Sequence, residues 1–298
     1  MERNKRLDSI AQYNAYVGQE TLHPLVSVID FSKIKPFKFR RGEMGVYAIF
    51  LKEVKCGDIT YGCNHYDYEE GTLLFVAPGQ IYGIDSNDEP RQAQGHALIF
   101  HPDLLLGTSL GRNIDNYTFF SYEVNEALHL SERERSVIDD CFAKIQFELE
   151  HSVDKHSKTL IVSYIELLLN HSMRFYDRQF ITRNHVNKDI LVRFEKILNQ
   201  YFHSNMLVEI GLPSVAYCAD QLNISANYLG DLIKKETGKS AQEHIQLKVI
   251  DIAKVKIFDT NKNISEVAYE LGFKYPQHFT RTFKRITGHT PNEYRNLN

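Results

Sequence analysis

Within 298 residues, 43% hydrophobic and 24% charged side chains describe a folded protein with material for two domains of ordinary size, not a disordered chain. No run approaches the roughly 18 apolar residues of a membrane-spanning helix. A net charge of −3 does not by itself advertise a nucleic-acid partner.

The opening MERNKRLDSIAQY is basic with no apolar core behind it, so no secretory signal is expected. Cys56, Cys63, Cys141 and Cys218 are scattered and form no CxxC pair, which suits reduced thiols in a cytoplasmic protein. Residues 20 to about 105 read as strands. Gly45 to Lys52 alternates weakly, Val46, Ala48 and Phe50 against Tyr47, Ile49 and Leu51. Further short runs cover 58–61, 66–68, 73–76 and 97–100, and Gly57, Gly62, Gly71, Gly79, Gly83 and Gly95 punctuate them. Short strands with Gly-rich turns predict an all-β barrel or sandwich. Inside it, Tyr47, Phe50, Tyr61, Tyr66, Phe75 and Tyr82 could line a pocket with apolar walls and polar tips for a small organic effector. At each position an ordinary aromatic core is the competing reading.

Two amphipathic helices are predicted over about 131–178. Ser131 and Glu134 cap the first, with Ile138, Cys141, Ile145 and Leu149 on one face. The second aligns Ile161, Tyr164, Ile165, Leu168 and Met173. These helices either cap the open side of the barrel or form a contact between two copies of the chain. Residues 177–188, DRQFITRNHVNK, are polar and read as an interdomain linker, which sets domains at 1–176 and 189–298.

The C-terminal part carries an internal repeat, over about 213–238 and 263–288. In the second copy, Asn263 and Glu266 form a capping box, Val267, Ala268 and Leu271 an apolar face, and Gly272 a helix stop. Phe273 plugs the turn, Pro276 suits the first position of a new helix, and Phe279 and Phe283 point inward until Gly288 ends it. In the first copy Ala219, Leu222, Asn223 and Ile224 occupy the same places 49 residues earlier; Leu229, Ile233, Gly238, Ser240 and Glu243 do so 50 residues earlier. Helix, tight turn and second helix is the helix-turn-helix layout that enters the DNA major groove. Between the copies, Ser240 to Asp259 reads as one helix of about 30 Å, near the roughly 34 Å repeat of B-DNA.

On the second reading helix, Gln277, His278 and Arg281 are candidates for base edges and Lys284 and Arg285 for phosphates. The matching positions of the first helix are Asn227, Tyr228 and Asp231 for bases and Lys234 and Lys235 for phosphates. Gly230 offers no contact, and an acid near phosphates is repelled unless it accepts from a cytosine amine. The two units are therefore expected to divide the work unequally, with Asp231 discriminating against wrong sequences. Residues 189–298 hold 14 Lys/Arg against 12 Asp/Glu and the remainder 21 against 26, so charge argues only mildly for DNA.

The strings ISANYLGDLIKKETGKSAQEHI and ISEVAYELGFKYPQHFTRTFKRITGHTPNEYR resemble the DNA-binding domain of the AraC/XylS family of bacterial transcription regulators. The resemblance implies seven helices and a recognition helix in each of two adjacent major grooves. EEGTLLFVAPGQIYGI and GHALIFHPDLL resemble the cupin-like sensor barrel at the N-terminus of many such regulators. The implied whole is an α+β multidomain protein, a cupin-like barrel with helices followed by an all-α double helix-turn-helix domain. Its implied partners are double-stranded operator DNA, RNA polymerase, a second copy of the chain and a small effector.

Enzymatic signals are missing. Cupin enzymes converge several ligands on a metal, yet no HxH occurs, Tyr82 stands where a late histidine often falls, and His65, His96 and His101 are isolated. No GxSxG, P-loop or Rossmann fingerprint is present. The expectation is no catalytic residue, metal or cofactor. A regulator driven by protein contacts without a ligand remains the alternative, ahead of a cupin-type enzyme fused to a DNA-binding domain.

Overall fold

In a computed structural model the chain divides into two units, Met1–Arg183 and Asn184–Asn298. Residues 6–38, 42–53, 71–82, 90, 92–123, 126–151, 154–259 and 261–297 are described. The fold is α+β, with strands in the first unit and helices throughout the second.

The first unit orders β1 (Arg6–Leu7), α1 (Ile10–Val17), β2 (Val26–Asp30), β3 (Gly42–Met44), β4 (Tyr47–Lys52), β5 (Thr72–Val76), β6 (Ile81–Tyr82) and β7 (His96–Phe100). Then come α2 (Ser109–Asn113), β8 (Leu128–His129), α3 (Glu132–Glu150) and α4 (Ser157–Thr182). Five strands pair in the order β2-β7-β4-β5-β8, all antiparallel, and a smaller sheet runs β1-β3-β6. The strands expected over 58–61 and 66–68 lie outside the described residues.

The weak alternation of β4 has a physical cause: both faces of its sheet are covered. Ala48, Phe50, Leu74, Val76, Ala97 and Ile99 share one core with Ile10 and Tyr13 of α1 and with Leu7 and Met44 of the small sheet. On the opposite face Phe75 meets Tyr176 of α4 at 6.3 Å, and His96 meets Phe142 of α3 at 6.0 Å. Ile49, Leu51 and Leu98, which the pleat turns toward the helices, are fully buried.

Helix α3 opens with the expected Ser131–Glu134 capping box and buries Ile138, Cys141, Phe142, Ile145 and Leu149. Along α4, Ile161, Ile165 and Leu168 are buried together with Val162, Leu169, Phe175, Tyr176 and Phe180, but Met173 is 39% exposed and Tyr164 half-buried, so the apolar stripe is offset from the expected one. Residues 177–188, read as the linker, are helical and hold the division between the two units. They finish α4 and begin α5 (Asn184–Phe202), with the division between units at Arg183. Polar side chains at the end of α4 work inside the first unit: Arg178 pairs with both oxygens of Glu134 at 3.0 and 2.9 Å, and buried Gln179 accepts from the His129 N–H and donates to the Ala127 carbonyl. Gln179 thereby supplies to the last strand what a neighbouring backbone would.

The second unit continues with α6 (Met206–Glu209), α7 (Val215–Leu222), α8 (Ala226–Thr237), α9 (Ala241–Lys256), α10 (Ile264–Glu270), α11 (Pro276–Thr287) and α12 (Pro291–Leu297). One short helix, α6, is added to the seven implied. Helix α9 has 16 residues, about 24 Å, because the chain turns after Lys256. Its length therefore does not match the helical repeat of DNA.

Candidate nucleic-acid interface

The repeat read from sequence recurs bond by bond. Ser214 starts α7 by accepting from the Tyr217 N–H, and Asn223 closes it in the left-handed region at φ 55°. In the second copy Asn263 and Glu266 cap α10, and Gly272 takes the matching place at φ 79°. The plug residues donate identically, Ile224 N–H to the Ala219 carbonyl and Phe273 N–H to the Ala268 carbonyl, at 3.2 and 3.0 Å. Helices α8 and α11 both end at a left-handed glycine, Gly238 and Gly288, whose N–H reaches the carbonyl of Lys234 or Lys284 at 2.8 Å.

Aromatic packing orients α11. Phe279 and Phe283 are fully buried and 5.6 Å apart, with Phe273 at 5.3 Å from the first and Tyr294 at 5.4 Å from the second. The opposite side carries Gln277, His278, Arg281, Lys284 and Arg285, all exposed. Arg285 also donates to the Gln246 side chain of α9. Glu243 beside it is held below the usual carboxylate range, first by the Ser240 backbone N–H of its capping box and to a lesser degree by the Arg285 charge.

The first reading helix differs. Asn227, Lys234 and Lys235 are exposed and Asp231 is half-buried, but Tyr228 is only 4% exposed. Tyr228 is buried, as are Leu229, Leu232 and Ile233 of the same helix. A ring at that position gains more from burial than from solvent, whereas His278 at the matching place stays outside. A side chain at Gly230 would meet nothing within 4 Å. Two exposed residues beside the α11 face were absent from the sequence reading, Lys274 and Tyr275. Both are exposed at the start of α11, with Tyr275 at 5.4 Å from His278 and the Lys274 ammonium at 5.8 Å from the Tyr275 ring. An aromatic residue left exposed in a tight turn was the available signal.

The family model described as a helix-turn-helix domain matches residues 218–297. The TetD protein of transposon Tn10 from Escherichia coli is 32% identical over 143 residues, 48% of this chain and 91% of TetD. The chain belongs to the AraC/XylS family. LumQ of Photobacterium leiognathi is 26% identical over 229 residues, 76% of the chain and 82% of LumQ. YtdP, an uncharacterized HTH-type transcriptional regulator of Bacillus subtilis, is 35% identical over 93 residues, which are 31% of the chain. The chain spans only 12% of the length of YtdP and 25% of the regulatory protein YesN of the same organism.

Two devices hold the AraC/XylS reading heads in place. The Gly272 turn lies against the first half of the unit: a Cβ there would stand 2.9 Å from the Leu207 carbonyl oxygen and from the Gly211 carbonyl carbon. At the other end, the Arg295 guanidinium donates to the carbonyls of Ile257, Asp259 and Lys262, gripping the segment between α9 and α10.

The aromatic residues proposed for an effector pocket do not surround one space. Phe50 and Tyr82 stack at 4.6 Å on the α1 side of the large sheet. Tyr47 stacks on Phe100 at 5.0 Å and Phe75 packs on Phe119 at 4.4 Å, both on the helix side. Tyr61 and Tyr66 lie outside the described residues. Phe75 and Tyr82 do meet at a cavity of about 230 Å³ beside Phe119, Tyr122 and Tyr176, while Tyr47 lines another of about 300 Å³. Among the described residues no three His, Cys, Asp or Glu are placed to hold a metal, and no helix is long and apolar enough to cross a membrane.

Proposed function

We propose that this AraC/XylS protein is a sequence-specific DNA-binding transcription regulator in which the second helix-turn-helix unit carries most of the base reading. The observation that supports this is the face of α11, where Gln277, His278 and Arg281 stand exposed with Lys284 and Arg285 opposite two buried phenylalanines. Arg pairs two-pronged with guanine and Gln with adenine, and the lysine and second arginine suit phosphates. On the first reading helix Asn227 and Asp231 face outward around Gly230, with Lys234 and Lys235 for phosphates, a sparser set of donors. Selection of binding sites from random duplexes by the full chain, followed by footprinting, tests this. One sharply specified half-site beside a loosely specified one is expected; two equally informative half-sites would contradict it.

The reading includes a small organic effector in the N-terminal unit, supported by the aromatic cavity at Phe75 and Tyr82. It includes no catalytic role. It also includes self-association through α4, where Leu160, Tyr164, Leu167, His171 and Arg174 follow alternating spacings of four and three on the outer face, Leu160 40% and Leu167 42% exposed.

A further inference from the structure

The cavity between β5, β6, residues 119–123 and α4 is lined by aromatic rings and one negative charge. Phe119 and Tyr176 stack with centroids 5.3 Å apart, and Tyr122 stands at 84° to Tyr176, also at 5.3 Å, making a corner of aromatic walls. Phe75 packs against Phe119 at 4.4 Å and closes the inner side. The carboxamide of Gln80 is already committed at both ends, its oxygen to the Ala77 N–H and its nitrogen to the Phe120 carbonyl. The Tyr176 hydroxyl donates to the Glu126 carbonyl. Among the described lining residues Glu123 is the charged one and none is basic. It is exposed, at the mouth.

Ring faces carry the negative side of the aromatic quadrupole, so rings and carboxylate act on a ligand with the same sign. An anion is repelled by both, and a neutral hydrocarbon gains only from area. A cation with an apolar surface gains from every wall. The Lys52 ammonium, not itself a lining residue, lies 5.8 Å from the Tyr82 ring centroid. A volume near 230 Å³ lies below the usual range of about 300–1,000 Å³ for ligand sites and suits a molecule of few heavy atoms.

We propose that this cavity binds a small organic cation, of the alkylamine or quaternary ammonium class, as the effector; this rests on the effector reading above and specifies its chemistry. The test is calorimetric titration of the full chain at matched ionic strength with choline chloride, tetramethylammonium chloride and the neutral choline isostere 3,3-dimethylbutanol. Choline should bind about tenfold or more tighter than the isostere. Glu123→Gln, a surface change checked by circular dichroism for an intact fold, should remove most of that difference while leaving isostere binding unchanged. Tyr122→Leu should weaken choline and tetramethylammonium alike. Equal binding of choline and the isostere would overturn the cation assignment and keep the effector reading, with an apolar ligand. Absence of binding by both cations would also overturn it, and a melting-temperature rise with any compound from a metabolite screen would then show the effector reading surviving without it.

Discussion

Asn223 and Gly272 occupy the same place in the two turns and the same left-handed backbone region, yet they are not interchangeable. Asn reaches that region at modest cost, as the first unit shows. At Gly272 a second constraint applies, since a Cβ would crowd the Leu207 oxygen and the Gly211 backbone at 2.9 Å. Gly272→Asn should therefore destabilise the second unit by about 1–3 kcal/mol, read from its denaturation midpoint, while Asn223→Gly should change it little. Equal effects would show that backbone conformation alone selects the glycine. Asp231 offers a second test at this scale. If it disfavours wrong sequences, Asp231→Ala should strengthen binding to random DNA at low salt and shrink the specific-to-nonspecific ratio. Unchanged affinity for random DNA would remove it from the interface.

Among the elements, local punctuation was the legible part. Capping boxes at Ser131, Ser240 and Asn263 and left-handed stops at Asn223, Gly238 and Gly288 involve residues a few positions apart, so sequence alone states them. What escaped depended on distant partners. Residues 177–188 do hold the division between the units, but that they are helical, and that Arg178 and Gln179 turn their polarity inward onto Glu134 and the last strand, was not legible. The burial of Tyr228 was likewise not legible, because a hydroxyl-bearing ring suits either side of a helix. The pocket candidates could have been sorted from sequence: Tyr47 and Phe50 are an odd number of residues apart on one strand and so face opposite ways.

Two elements carry predictions of their own. If α4 joins two copies, the chain should sediment as a dimer at micromolar concentration, and Leu160→Glu with Leu167→Glu should give a folded monomer. A wild-type monomer, or a dimer indifferent to both changes, would leave α4 as a cover for the sheet. Helix α12 holds the loop after α9 through Arg295, and hydrogen bonds to a charged group are worth about 1.5–3 kcal/mol each at most sites. Arg295→Ala should lower the unfolding free energy of the second unit by about that amount. Arg295→Lys should restore only part, because a point charge cannot span three carbonyls. Full rescue by lysine would mean that charge alone matters.

Across the whole molecule, charge says little and placement says more. The C-terminal 110 residues are only slightly basic, but Lys284, Arg285 and Arg281 share the exposed face of one helix. The central claim is that this face reads bases as well as backbone. Affinities of wild-type and Arg281→Ala chains for a selected site and for random DNA, measured at one salt concentration, test it most directly. Arg281→Ala should cost about 1–3 kcal/mol on the selected site, relax the preference at one base pair and leave random DNA nearly unaffected. An equal loss on both DNAs would make Arg281 a phosphate contact and contradict the account.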